Sequence, residues 1–211
     1  MSLRAKSDGT PPEQAPVGTH VAVCVHLIDR GTQTSEFYKN SKPQILLGFE
    51  LVNEKNAKGE NFIIWRKFTN SMFETAGLRL MIERWRGKSF ANQEEADAFD
   101  TRKLVGQPCL VNAVASKDGK WTNIGGIMAL PKGQPKPIAT RKRVIFDIDE
   151  WDDAVFATFS DKHKATIMAS PEAKARFAGQ GQQRTTQEMP EYIPEQEENP
   201  EAGFDLNDPP F

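Results

Sequence analysis

Three short segments of this 211-residue chain interleave aromatic rings with basic side chains: Phe37-Tyr38-Lys39 with Lys42, Trp65-Arg66-Lys67-Phe68, and Lys117, Lys120 and Trp121. A flat ring offers a face on which a nucleobase stacks, worth about 1–3 kcal/mol whatever the base. A nearby ammonium or guanidinium meets the phosphate. Rings and cations in this alternation are what sequence-independent binding of a single nucleic-acid strand requires. The site residues expected for that chemistry are Tyr38, Lys39, Lys42, Trp65, Arg66, Lys67, Phe68, Lys117, Lys120 and Trp121. Each ring has a second use. Trp65 and Phe68 fall on opposite faces of one strand, so at least one belongs to a core. Trp121 opens a strand, where packing on the sheet end also suits it. Tyr38 stands in a polar loop, where plain solvation also suits it.

Other chemistries lack their parts. The chain has no Gly-rich phosphate loop ending in Lys-Ser or Lys-Thr and no Gly-x-Ser-x-Gly elbow. Cys24, Cys109, His20, His26 and His163 show no zinc spacing. Carboxylates are plentiful, but no pair sits on an identifiable scaffold. The expectation is a non-catalytic protein with no cofactor and no metal. Cys24 and Cys109 lie in strand-like runs and read as buried, reduced thiols.

The elements that must position the rings follow from periodicity. Residues 19–29 alternate with apolar side chains on both faces, Val21, Val23, Val25 and Leu27 against Ala22, Cys24, His26 and Ile28, as in a covered sheet. Residues 30–43 form a polar loop. Residues 44–53 and 62–69 read as a hairpin around a turn at 54–60. A helix is expected next, with Ser71 as N-cap and Glu74 completing a capping box. Leu78, Met81, Ile82 and Trp85 form its buried face, Arg84 and Arg86 its last turn, and Gly87 its left-handed cap. Asn92 and Glu95 open a second short helix. Residues 108–116 and 121–130 are strands joined by a turn with Asp118-Gly119 at its centre, and Gly125-Gly126 marks a bulge. Three strands, a helix and a two-strand hairpin is the order of the five-stranded oligonucleotide-binding barrel. In that barrel the second and third strands and the 1–2 and 4–5 loops hold nucleic acid, which is where all three segments fall.

Four regions result: a disordered lead at 1–16, the barrel at 17–130, a basic linker with short helices packing on the barrel at 131–177, and a disordered tail at 178–211. The fold class is thus mainly β with helices. Lys132 to Arg143 fits either a solvated linker or an extension that tracks the strand. The late helices cover 149–159 and 161–169, and a third starts at Ser170-Pro171, with Pro171 in the first helical position.

Charge is split along the chain. Residues 187–211 hold eight acids and no Lys or Arg, whereas residues 1–186 carry 27 basic against 21 acidic side chains, a formal +6. A basic body attracts a polyanion, and an acidic tail competes with it or recruits a basic partner. No apolar run approaches the roughly 20 residues of a membrane span, and residues 1–16 have no signal-peptide core, so a cytoplasmic protein is expected. Self-association into a homo-oligomer is compatible with the sequence.

The tail ends Asp205-Leu206-Asn207-Asp208-Pro209-Pro210-Phe211. An acidic string closing on Pro-Phe resembles the C-terminal tip of bacterial and phage single-stranded DNA-binding proteins. Asp208, Pro210 and Phe211 match that tip, while Pro209 stands where an aliphatic residue is usual and Asn207 where an acid is. The body is similar to phage-encoded single-stranded DNA-binding proteins in its layout and in several pieces. These are Asp29-Arg30-Gly31-Thr32-Gln33, Lys67-Phe68-Thr69, Trp85-Arg86-Gly87-Lys88-Ser89-Phe90, and Ile167 with Ser170 and Glu172. The resemblance implies protection of single-stranded DNA in phage replication, recombination and repair, within the host cytoplasm. It also implies recruitment of polymerase, helicase-primase or recombination factors through Asp205, Asp208, Pro209, Pro210 and Phe211. The residues alone leave open a protein-interaction adaptor of the replication machinery, an RNA-binding barrel, and a metal-dependent nuclease.

Overall fold

The structure, a computed structural model, describes residues 13–35 and 39–178. Tyr38 and the acidic tip lie outside them. The fold is mainly β. Strands β1 (Gly18–Thr34), β2 (Ser41–Lys55), β3 (Asn61–Thr69), β4 (Pro108–Ala115) and β5 (Thr122–Met128) form one antiparallel sheet in the order β3-β2-β1-β4-β5. A short β6 (Val144–Phe146) adds to β1 in parallel. The sheet is open: no backbone ladder joins β3 to β5 among the described residues. Instead Arg66 of β3 donates from Nη1 to the carbonyl of Ile124 in β5 at 2.5 Å.

Bulges set which side chains face inward. On β1, Cys24 pairs with Phe49 and His26 with Gly48, so Val25 is the extra residue. A single inserted residue reverses the alternation beyond it. Ala22 and Cys24 face inward before the bulge and Leu27 after it, while His26 and Ile28 turn outward. The uninterrupted two-face pattern expected for residues 19–29 therefore breaks at Val25. A second bulge between Asp29 and Thr32 contains Gly31 at φ 65. A Cβ there would lie 2.7 Å from Ser170 Cβ, so glycine serves both the left-handed turn and the close approach. The third bulge comes where expected: Asn112 pairs with Gly126 and Ala113 with Ile124, leaving Gly125 over.

The inner core gathers Leu47, Phe49, Ile64, Phe68, Val111 and Ile127 from the sheet. Helix α1 (Gly77–Arg86) closes it with Leu78, Met81, Ile82 and Trp85, the face expected from their spacing. Each such side chain contributes about 1.5–3 kcal/mol on burial. Trp85 also donates from Nε1 to the Pro108 carbonyl at 2.8 Å, which ties the helix to β4. Gly87 ends α1 at φ 63 as expected. The expected start fails, because Ala76 and not Ser71 is the N-cap, and Ser71 Oγ accepts only from the Phe73 N–H. The Met72 carbonyl is taken by Arg79 and Gln93 side chains instead of by a helical amide. Helix α2 (Gln93–Asp97) is capped as expected, Asn92 Oδ1 accepting from Glu95 N at 2.8 Å. A 3-10 turn, Thr101–Leu104, leads into β4.

A second core covers the outer face of the sheet at Ile28 and Leu46. It is built by Phe146 of β6, by Ile148, and by α3 (Asp153–Ala157), α4 (Asp161–Met168) and α5 (Pro171–Ala178). Phe146 makes ring contacts with Trp151, Phe156 and Phe159 at 5.1–5.9 Å. Ser170 caps α5, its Oγ accepting from the Ala173 N–H at 3.2 Å, as its Ser-Pro start predicts. Glu172 then accepts from the Thr32 N–H at 3.0 Å and from Thr32 Oγ1.

The connector 131–143 is held near its end, where the buried carboxylate of Glu50 in β2 binds Thr140 and Arg141. Glu50 Oε1 accepts from Thr140 N (2.9 Å), Thr140 Oγ1 (2.6 Å) and Asn61 Nδ2 (2.6 Å), and Oε2 from Arg141 N (3.0 Å). Burial alone would raise this carboxyl. The donors from Thr140, Asn61 and Arg141 outweigh it and hold the pKa below the ordinary 4.5. A depressed folded-state pKa contributes stability above the unfolded value, and that stability is lost as pH falls through the folded one. Glu50→Gln faces an N–H toward an N–H, so a loss of about 2 kcal/mol is expected. Its unfolding free energy should also fall less steeply than wild type below pH 4.5. Urea melts of both proteins at neutral and acid pH check both outcomes.

Candidate nucleic-acid interface

The outer face of β1–β3 carries a half-open cleft of about 550 Å³, lined by His26, Trp65, Arg141, Lys142, Phe159 and His163 among others. Its geometry starts from Gly48. Gly48 pairs with His26 on one side and Trp65 on the other. Having no side chain, it lets the two rings meet across the central strand at 5.1 Å and 23°. A Cβ on Gly48 would come within 2.7 Å of the indole. His163 of α4 meets the indole edge at 5.4 Å and 72°. The cleft is thus walled by the sheet on one side and by the C-terminal helices on the other. A concave apolar site with a few polar groups is the usual form of a binding pocket.

Its charges are arranged in one sense. Lys142 on the rim and Lys67, two residues beyond Trp65 on the same face of β3, are exposed and make no ion pair among the described residues. Arg141 is occupied, pairing with Glu60 at 3.3 Å and donating to the Asn61 carbonyl. Burial lowers the pKa of His26, and the Arg141 charge lowers it further. Burial and Arg30 do the same for His163. Both shifts favour the neutral ring, which presents aromatic surface and hydrogen-bonding nitrogens.

The residues expected from sequence fall into separate places. Trp65 lines the cleft, and Lys67 is exposed two residues further along the same face of β3. Trp121 is 52% exposed at the tip of the β4–β5 hairpin. Its backbone is clamped to Ser116 by Ser116 N to its carbonyl at 2.7 Å and by its own N–H to Ser116 Oγ at 3.0 Å. Lys117 and Lys120 flank it, both exposed. Lys39 and Lys42 are exposed at the opposite end of β1–β2, where Lys42 pairs in register with Gln33. Two residues are corrected. Phe68 is 6% exposed and belongs to the inner core, so it offers no face to a base. Arg66 is half-buried, bridges to Ile124 and lies 5.3 Å from the Phe68 ring, which makes it a tie between β3 and β5. His26, His163, Gly48 and Lys142 were missed as site residues. Gly48 could not be placed by counting from the turn, because a register shift between Glu50 and Lys55 intervenes before Gly48 meets Trp65.

The cysteines are free and buried, with burial pushing Cys24 up to about 12. Among the described residues no helix is long and apolar enough to cross a membrane, and no cluster of His, Cys, Asp and Glu is arranged to hold a metal ion.

Gly48→Ala is expected to displace the indole, cost about 1–3 kcal/mol in overpacking and alter the near-ultraviolet dichroism of the stacked Trp65. Thermal melts and spectra of the variant test this; an unchanged spectrum would contradict the packing. Neither a protein-family model nor a curated protein sequence matches this chain.

Proposed function

We propose that this protein binds single-stranded DNA without catalysis and with little sequence preference, on an oligonucleotide-binding barrel. The carrying observation is Trp65, laid across Gly48 in a half-open cleft whose lining includes the exposed Lys142, with Lys67 two residues along the same face of β3. Stacking of bases on aromatic faces combined with cations along the phosphates is the physics of such binding. Trp121, exposed among Lys117 and Lys120, supplies a second ring. Support for the barrel comes from β1, which ladders with both β2 and β4, and from α1 between β3 and β4. Arg66 adds a link across the open edge.

The resemblance to phage-encoded single-stranded DNA-binding proteins supports the same reading. Two of the pieces that carry it, 29–33 and 170–172, are bonded to each other through Thr32 and Glu172. On this reading the protein protects displaced strands in the cytoplasm during replication, recombination and repair. The tip residues Asp205, Asp208, Pro209, Pro210 and Phe211 would recruit partners, the ring entering an apolar pocket and the acids meeting a basic rim.

Titrating fluorescent oligo-dT with the full chain should give binding that weakens steeply with salt, by about 0.7 in log–log slope for each phosphate neutralised. Trp65→Ala should cost about 1–3 kcal/mol of affinity, and deleting residues 187–211 should leave affinity unchanged or higher. Absence of binding at low salt sinks the reading. Equal or tighter binding of oligo-U would make the ligand RNA, since stacking does not sense the 2′-hydroxyl.

A further inference from the structure

A second cleft, of about 570 Å³, lies at the other end of the basic connector, between the end of α1, the 3-10 turn, the start of β4 and residues 129–136. Trp85, Phe99, Leu104 and Leu130 give it a carbon floor, and Arg86, Lys103, Lys132 and Lys136 stand around it. No Asp or Glu lines it. Arg86 is partly spent: it stacks on Phe90 at 4.4 Å and pairs with Glu95 at 3.5 Å. The three lysines are exposed and enter no ion pair among the described residues. Like charges gathered around apolar surface repel one another, and a polyanion relieves that repulsion.

The two clefts share one strip of chain. Residues 131–136 line this one, and Arg141 and Lys142 line the Trp65 cleft. Fully extended, the chain from Lys136 to Arg141 spans at most about 18 Å. The strip is fixed on the sheet by Glu50 at Thr140 and Arg141. Arg143 is held nearby, its guanidinium 2.6 Å from where a Cβ on Gly106 would stand. The basic strip is therefore anchored at its Trp65-cleft end, and the second cleft lies within that reach of the chain.

We propose that one single strand occupies both clefts, leaving the Trp65 cleft along the connector and setting its phosphates on Lys103, Lys132 and Lys136. This rests on the single-strand reading above and extends it to the length of strand held. An acidic peptide suits the same cations, but it gives no reason for the shared strip; it is an outcome of the test.

The test uses the full chain, the variant K103A/K132A/K136A and Trp65→Ala. Affinities for oligo-dT of about five and about fifteen nucleotides, within the span such barrels hold, are measured against salt. For the triple variant the longer strand should bind at least about tenfold more weakly, with a salt slope shallower by about 2 from three lost phosphate contacts. The shorter strand should change less than about twofold, and thermal melts should match wild type because all three side chains are exposed. Trp65→Ala should weaken both lengths. If the triple variant binds the long strand as wild type does while Trp65→Ala does not, the second cleft lies off the path and only this inference falls. It falls too if both lengths weaken equally, or if the triple variant loses only a synthetic peptide of residues 200–211. If the wild-type chain binds neither length, the single-strand reading itself fails.

Discussion

The carboxylate of Glu50 is buried on the outer face of β2 and receives four hydrogen bonds. Three come from Thr140 and Arg141, far along the chain. An ionised group out of water is costly unless its lone pairs are filled. Here the filling donors are what bring the connector onto the sheet. From that anchor Val144 to Phe146 pairs with β1, and the helices after it cover Ile28 and Leu46. The wall of the Trp65 cleft opposite the sheet depends on this tie, because Glu50 secures the segment that leads into it.

A second constraint acts across the strands. His26, Gly48 and Trp65 are lateral neighbours only because Val25 bulges from β1 and shifts His26 to the outer face. Had the alternation run on unbroken, His26 would point inward and the ring pair would not exist. The glycine between them then decides how flat the indole lies. The proposed binding surface is thus made by backbone irregularities as much as by the rings themselves.

Much of the sheet was legible because its strands alternate and its turns are chemically marked. Asp118-Gly119 and Gly125-Gly126 gave the last hairpin and its bulge, and Leu78, Met81, Ile82 and Trp85 gave the buried face of α1. The opposite-face rule also divided Trp65 from Phe68 correctly. What stayed hidden depends on distant partners. Val144 to Phe146 is too short to read as a strand, and its parallel pairing needs β1, more than a hundred residues earlier. Glu50 reads as a solvent-facing acid until Thr140 and Arg141 are seen above it. Ser71 carries a capping signature, yet its Oγ accepts from the Phe73 N–H and α1 starts only at Gly77. Arg66 had the composition of a phosphate contact but is used between strands.

In the proposed binding mode a single strand lies against Trp65, with Trp121 as a second ring. Photo-cross-linking of an iodouracil-substituted single strand to the full chain, followed by peptide mass spectrometry, tests it most directly. Covalent adducts are expected on peptides containing Trp65 and Trp121, suppressed by excess unlabelled oligo-dT. Adducts confined to other peptides, or unaffected by the competitor, would contradict it.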